Sequence, residues 1–119
     1  MARILLAEDE DSVGAFVIRA LTQQGHEITR VGDGLAALSA LAAAPFDLLL
    51  TDIVMPELDG IALALKASKD YPVMKILLMT GYAAERQRAH NLEALVHRVV
   101  MKPFTLEDIQ KAVAQLLAS

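Results

Sequence analysis

The sequence predicts an α/β domain built on a parallel sheet, in which five βα units follow one another along the chain. Short apolar runs alternate five times with longer segments of helical period, a pattern typical of βα units. Three of the runs are nearly all apolar, as expected for parallel strands that helices cover on both faces. A chain of 119 residues is expected to form one compact domain, residues 1–119, and no linker or output domain is visible.

Five short apolar runs are the strand candidates. They cover residues 4–7, 27–31, 48–50, 73–79 and 96–101. The last run is interrupted by His97 and Arg98, which suggests an edge strand with one accessible face.

The segments between the strand candidates carry the signals that begin and end helices. Candidate N-caps precede three of the five predicted helices: Asp11 or Ser12, Asp33 and Thr105. The third helix is expected to start near Asp59. Asp108 stands three residues after Thr105, where it completes a capping box. The residues placed to end the first three helices are Gly25, Pro45 and Pro72. The fourth helix, expected around residues 83–95, is the most polar, so we expect it to pack least firmly.

Composition narrows the classes of function. The net charge of −4 and a pI near 5.2 argue against nucleic acid as a direct ligand. The absence of cysteine removes disulfides, thiolate zinc sites and thiol catalysis. Acids at Glu8 and Asp9 interrupt the N-terminus too early for a signal peptide, and no apolar run approaches the roughly 18 residues of a membrane span. We therefore expect a soluble, cytoplasmic protein that does not bind membranes.

Polar side chains follow four of the five strand candidates. Glu8 and Asp9 follow the first, Asp52 the third, Thr80 the fourth and Lys102 the fifth. Ligands of open parallel sheets bind beyond the carboxyl ends of the strands, so these side chains are expected to meet at one edge of the sheet.

Three crowded carboxylates repel one another unless a cation neutralises them, and hard oxygen ligands suit Mg²⁺. A carboxylate such as Asp52 beside that ion can act as the nucleophile toward a phosphoryl group. Lys102 would then pair with the new charge, and Thr80 would donate a hydrogen bond to a phosphoryl oxygen.

Each of these residues also has an ordinary structural explanation. Acids between a strand and a helix are often solvated first-turn residues that the helix dipole favours. The segment from Asp52 to Gly60 could be only a long turn. A single Thr at a strand end, or a single Lys before Pro103, is usually structural. The conjunction of such residues after four strands, at one edge of the sheet, favours the functional interpretation.

Four blocks of the sequence resemble the receiver domain of two-component response regulators. They are Leu-Ala-Glu8-Asp9-Glu-Asp, Thr51-Asp52-Ile-Val-Met55-Pro56-Glu-Leu-Asp59-Gly60, Met79-Thr80-Gly81 and Met101-Lys102-Pro103-Phe104. The resemblance covers the whole chain, and the second and fourth blocks are highly specific as a set. It implies a flavodoxin-like (βα)5 three-layer sandwich with a parallel five-stranded sheet in the order 2-1-3-4-5.

The resemblance also implies a role for each matching residue. Asp52 would be the phosphoacceptor, and Asp9 a direct Mg²⁺ ligand. Glu8 would act on the ion through water, and the backbone carbonyl of Val54 would complete the protein's ligands. Thr80 and Lys102 would hold the phosphoryl oxygens, and the peptide bond between Lys102 and Pro103 would be cis.

The sequence departs from the receiver pattern three residues before Lys102. Receivers usually carry Tyr or Phe there, as a ring that swings inward on activation, whereas this chain has Val99. Tyr82 is a candidate substitute or a lid at the mouth of the site. Val54 and Tyr82 also occupy the two positions that flank the path of the attacking water in receivers. Neither can orient that water, so we expect slow self-dephosphorylation.

The resemblance implies a regulatory phosphoacceptor, not an enzyme, although such a domain assists its own phosphorylation and dephosphorylation. A histidine kinase or histidine phosphotransfer protein would be the donor. Phosphorylation would alter the surface formed by the fourth helix, fifth strand and fifth helix. This surface includes Arg86, His90, His97, Arg98 and Val99. The simpler interpretation of its basic residues is an ordinary solvated face.

The output would be a protein contact. Stand-alone receivers relay phosphate, bind motors or deliver substrates to a regulated protease, and the sequence most resembles the protease-adaptor type. Alternatives from other classes are a constitutive binding module and a Mg²⁺-dependent phosphatase. The phosphatase would need a second Asp two residues after Asp52, where Val54 stands. Nucleotide or flavin binding lacks a Gly-x-Gly-x-x-Gly or P-loop motif after the first strand.

Overall fold

The computed structural model describes residues 1–81 and 98–119. Its strands are β1 (Arg3–Ala7), β2 (Glu27–Val31), β3 (Leu48–Asp52), β4 (Lys75–Thr80) and β5 (Arg98–Met101). The helices in the described ranges are α1 (Asp11–Thr22), α2 (Gly34–Ala43), α3 (Gly60–Asp70) and a C-terminal helix (Leu106–Ala118). All five strands are parallel and lie in the order β2-β1-β3-β4-β5, which confirms the predicted flavodoxin-like α/β fold. The fourth predicted helix lies outside the described residues.

Two aliphatic cores cover the two faces of the sheet. Alternate residues of a strand point to opposite faces, so Leu5 and Leu49 pack under α2 and α3. Their neighbours Leu6 and Leu50 pack under α1 and the C-terminal helix. Since both faces are covered, the middle residues of the central strands are apolar, and polar side chains are found at the strand ends.

Side-chain caps begin three of the four described helices; those of Asp33 and Thr105 were predicted, and α3 starts next to Asp59, near which a helix start was expected. Asp33 accepts a hydrogen bond from the backbone N–H of Ala36, and Asp59 accepts one from Ala62. Thr105 forms the full capping box with Asp108. These bonds satisfy backbone donors that the first turn of a helix leaves unpaired.

The prediction for the start of α1 was wrong. Glu10, not Asp11 or Ser12, occupies the N-cap position, and its side chain makes no capping bond. Asp11 is instead the first helical residue, and its carboxylate accepts a hydrogen bond from Arg30 at 3.0 Å. Beyond the other end of the helix, Gly25 adopts a φ of 84°, and its N–H donates to the carbonyl of Thr22. It therefore closes the helix as predicted.

Several strand boundaries differ from the apolar runs, by one residue at the start of β1 and the end of β4 and by two residues at the end of β3 and the start of β4. β3 continues through Thr51 and Asp52, because their backbones pair with β4 although their side chains are polar. β4 begins at Lys75 instead of residue 73, since Val73 lies in a turn and is 90% exposed. The last strand begins at Arg98, at the edge of the described segment. In the described ranges, no helix has the length and apolar character needed to cross a membrane.

The loop from β3 to α3 contains a tight turn beside the sheet edge. Glu57 has a φ of 70°, in the left-handed region, which is unfavourable for residues other than glycine. The N–H of Leu58 donates to the carbonyl of Pro56 at 2.9 Å across this residue. Gly60 then starts α3 against β3, where an added Cβ would strike the carbonyl of Asp52. The loop thus stores backbone strain at one residue and needs glycine at another.

We expect Glu57→Val to lower the free energy of unfolding by about 1 kcal/mol or more, because a β-branched residue fits left-handed backbone poorly. Glu57→Gly should leave it unchanged or raise it by up to about 1 kcal/mol, since relief of strain is offset by a more flexible unfolded chain. Urea unfolding measures both. Glu27→Val is the control, with the same charge change in the extended backbone of β2. A larger loss for glycine than for valine would contradict the assigned strain.

Candidate functional site

The carboxyl ends of β1, β3 and β5 bring two carboxylates and one ammonium together. The Nζ of Lys102 lies 2.9 Å from Oδ2 of Asp52 and 3.0 Å from Oε1 of Glu8. Glu8 directly follows β1, Asp52 ends β3 and Lys102 directly follows β5. Residues separated by 94 and 50 positions in the sequence thus form one ion-paired group.

A third carboxylate, that of Asp9, completes an acidic cluster. Glu8, Asp9 and Asp52 each offer a carboxylate oxygen, and these oxygens all lie within 4.8 Å of one another. Asp9 is exposed, whereas Glu8 and Asp52 are buried. The cluster therefore has two carboxylates fixed in the protein and one that faces solvent.

Burial determines the electrostatics of Glu8. Its side chain is 0% exposed, and this burial raises its pKa, as does the nearby charge of Asp52. The hydrogen bond from Lys102 and one from the backbone N–H of Glu10 act in the opposite direction but do not cancel the effect. The Lys102 ammonium therefore stabilises the charged form of Glu8.

The Lys102 ammonium is stabilised in return. Burial by itself would lower its pKa, but the hydrogen bonds to Asp52 and Glu8 outweigh this effect, so the pKa is raised. Its side chain is 21% exposed, and its backbone N–H donates to the carbonyl of Thr80 at 2.7 Å. Lys102 is therefore protonated at neutral pH and held at the sheet edge by both backbone and side chain.

An open cleft of about 590 Å³ lies over the cluster. It is lined by Asp9, Glu10, Asp52, Val54, Gly81 and Lys102. Thr80, the last residue of β4, is almost fully buried next to this edge of the sheet. The side chain of Val54 is 49% exposed and borders the cleft without offering a polar group. The cleft is accessible to a charged group from solvent.

The structure adds Arg30, which sequence reasoning missed. From β2, its guanidinium donates two hydrogen bonds to the backbone carbonyl of Glu8, at 2.8 and 3.1 Å. Its only sequence signal is its position near the end of β2, opposite Leu6 of β1. The nature of that contact depends on the path of a long side chain, which the sequence pattern does not indicate.

Other sequence predictions concern residues beyond the described ranges, the switch position and the peptide bond after Lys102. Tyr82, Arg86, His90 and His97 lie outside the described residues. Val99, at the usual position of the switch aromatic, is half-buried and packs against the core under α2 and α3. The peptide bond between Lys102 and Pro103 is cis, as the family resemblance implied.

Comparison with known proteins identifies relatives of the whole domain. The sequence matches the family described as response regulator receiver domain over residues 4–114. It is 41% identical over 117 residues to the response regulator receiver protein CpdR of Brucella abortus, with 98% of both chains covered. It is 34% identical to the sensor kinase CckA of the same organism, covering 98% of this chain but 12% of that protein. The signal receiver domain of a histidine kinase from Syntrophus aciditrophicus has a TM-score of 0.88 at 25% identity, covering 99% of this chain and 91% of that one.

Removal of the Lys102 ammonium should destabilise the protein, because Glu8 and Asp52 are buried carboxylates that pair with it. We expect Lys102→Met to lower the free energy of unfolding at pH 7.5 by about 3 kcal/mol or more, because it leaves a buried charge unpaired. The loss should shrink as the pH falls toward 5. Protonation of Glu8, whose raised pKa rises further without Lys102, then relieves the repulsion.

Chemical denaturation at both pH values measures this effect. Lys66→Met, which removes an exposed lysine from α3, is the control with the same charge change. A stability loss for Lys102→Met that stays constant between pH 7.5 and 5 would contradict the assigned coupling.

Proposed function

Since the chain belongs to the response-regulator receiver family, whose members are regulatory phosphoacceptors, we propose that Asp52 accepts a phosphoryl group from a histidine-phosphorylated partner. The observation that carries this proposal is the Asp52 carboxylate at an open cleft, 2.9 Å from the Lys102 ammonium and beside two further carboxylates. Phosphorylation would switch a signalling contact with another protein. The domain is a regulatory acceptor that assists its own modification, not an enzyme acting on other molecules.

The donor set of the cluster suits Mg²⁺, which receiver domains bind at an acidic pocket. All three candidate ligands are carboxylate oxygens, and Mg²⁺ prefers one or two carboxylates and several waters. Both oxygens of Glu8 already accept hydrogen bonds, from Lys102 and from Glu10. Asp9, Asp52 and the carbonyl of Val54 would therefore hold the ion, with Glu8 acting through water. When bound, the ion neutralises carboxylate charge and screens an incoming phosphoryl group.

The chemical step is an in-line transfer to the Asp52 carboxylate. One carboxylate oxygen attacks phosphorus, a P–O bond forms, and the P–N bond to the donor imidazole breaks as that imidazole retains its electron pair. Lys102 then pairs with the phosphoryl oxygens in place of the carboxylate, and the Thr80 hydroxyl donates to another of them. Val54, two residues after Asp52, offers no acid, so the phosphatase alternative lacks its proton donor.

A sensor kinase or a histidine phosphotransfer protein is the proposed donor, and a protein contact is the proposed output. Support comes from the likeness to a receiver protein over 98% of both chains and to a segment of a sensor kinase. Delivery of substrates to a regulated protease is our specific proposal for the output, with onward relay of phosphate as the alternative. Pull-downs with Asp52→Ala and with phosphorylated wild type separate them: state-dependent capture of a target indicates an adaptor, and phosphate loss to a second protein indicates relay.

Phosphorylation of Asp52 can be tested without knowing the donor. With Mg²⁺ and acetyl phosphate, the wild-type chain is expected to gain the mass of one phosphoryl group, whereas Asp52→Asn gains none because an amide is not a nucleophile here. Intact-mass spectrometry measures the adduct. Asp47→Asn, an exposed acid before β3 at the opposite edge of the sheet, is the control and should be modified like the wild type. An adduct that persists in Asp52→Asn would refute the assignment.

The phosphorylated form should be long-lived, because Val54 offers no group to orient water. We expect Val54→Asn to shorten the lifetime of the phosphorylated form about tenfold, because the amide can orient the attacking water. This factor is smaller than the rate effect of a fully positioned general base. Loss of phosphate from purified protein, followed over time, measures it. Val73→Asn is the matched control, since Val73 is 90% exposed in the turn before β4. A wild-type lifetime of only seconds would contradict the inference.

A further inference from the structure

We propose that Arg30 is a positioning residue for the acidic cluster: its guanidinium fixes the loop between β1 and α1 that carries Glu8 and Asp9. This inference rests on the proposed function, because it concerns the same Mg²⁺ site. Arg30 lies in β2, outside the cluster and the cleft. It acts on the site through the backbone of its neighbours, without touching the ion.

Arg30 makes two bonds to this loop and one to the first residue of α1. Nε and Nη2 both donate to the backbone carbonyl of Glu8, at 3.1 and 2.8 Å. Nη1 donates to Oδ1 of Asp11 at 3.0 Å. On the other side of the same residue, the N–H of Glu8 donates to the carbonyl of Val31 at 3.1 Å. β2 therefore holds Glu8 by both its N–H and its carbonyl.

These bonds anchor the chain on both sides of Asp9. Asp9 is exposed, yet a carboxylate oxygen of its side chain lies within 4.8 Å of those of Glu8 and Asp52. Glu8 and Asp11, which bracket it, are both tied to Arg30. A backbone that is already ordered loses less conformational freedom when an ion binds, so the affinity for the ion is higher. Partners that orient metal ligands in this way typically change affinity 10- to 100-fold.

The bonds to the Glu8 carbonyl carry more of this effect than the ion pair. The Asp11 side chain is 97% exposed, and exposed ion pairs contribute little. By contrast, the Arg30 side chain is only 25% exposed, and the carbonyl it contacts belongs to a buried residue. Two donors of the rigid guanidinium bond to the same carbonyl oxygen, and these charge-assisted bonds also fix the direction of the Glu8 carbonyl.

Gly14 of α1 leaves the space in which this guanidinium lies. A Cβ added at Gly14 would be 2.6 Å from Nε and 2.8 Å from Cζ of Arg30. Both contacted atoms belong to the far end of a flexible side chain, so alanine at this position would displace the guanidinium while the helix backbone stays in place. Alanine also favours the helix more than glycine does. Gly14→Ala therefore separates loss of the Arg30 contacts from loss of stability.

The test is titration of the metal-free protein with MgCl₂, followed by amide NMR shifts, alongside thermal unfolding. We expect Arg30→Ala and Gly14→Ala each to weaken Mg²⁺ binding about tenfold, at the low end of such effects. The melting temperature of Gly14→Ala should not fall. The double variant should bind no more weakly than Arg30→Ala, because both changes remove the same contacts. Arg3→Ala is the control with the same charge change, at the opposite end of the sheet beside Glu27 and Phe46, and should bind as the wild type does.

The outcomes separate this inference from the proposed function. Wild-type protein that fails to bind Mg²⁺ would overturn both. Wild-type protein that binds Mg²⁺, with Arg30→Ala and Gly14→Ala binding equally well, would overturn the role of Arg30 alone. Arg30→Lys should recover part of the lost affinity, since an ammonium can donate to the Glu8 carbonyl but lacks the paired donors of a guanidinium.

Discussion

The ion-paired group of Glu8, Asp52 and Lys102 is the interaction on which the sheet edge depends. Lys102 follows an edge strand, and its side chain reaches past β4 to the ends of β3 and β1. Glu8 is fully buried and Asp52 nearly so, and neither charge would be stable there without the ammonium. Backbone bonds extend the sheet into the same residues, from Glu8 to Val31 and from Lys102 to Thr80. The charged group is thus part of the sheet and shares its rigidity.

The parts of the structure that could be predicted from the sequence are those that leave a local spacing or a periodic pattern in it. Asp33, Asp59 and Thr105 cap helices through bonds to residues three positions away, and such bonds leave a recognisable spacing. The apolar runs located all five strands, and the rule that ligands bind beyond the carboxyl ends placed the acids and Lys102 at one edge. Strand ends were less accurate, since Asp52 pairs through its backbone while its side chain interrupts the apolar pattern.

What could not be predicted depends on the path of long side chains between distant segments. Arg30 lies 22 residues from Glu8, and nothing in the composition of β2 shows that its guanidinium turns toward the first loop. Arg30 also bonds to Asp11, a predicted cap residue of α1, while Glu10 takes the N-cap position. Gly14 is likewise uninformative in the sequence, because its lack of a side chain matters only where Arg30 passes over α1.

Charge balance connects the proposed phosphorylation to the edge of the sheet. Three carboxylates and one ammonium give the cluster a formal charge of −2, which one divalent cation would neutralise. If Asp52 became an acyl phosphate, its carboxyl oxygens would be poorer acceptors and the phosphoryl oxygens stronger ones, so Lys102 would be drawn toward the phosphoryl group and away from Glu8. Lys102 is joined directly to the end of β5 and bonded to Thr80 at the end of β4. In the proposed phosphorylated form, a shift of its side chain would act on the paired ends of these two strands, a route for activation that would need no aromatic side chain at Val99.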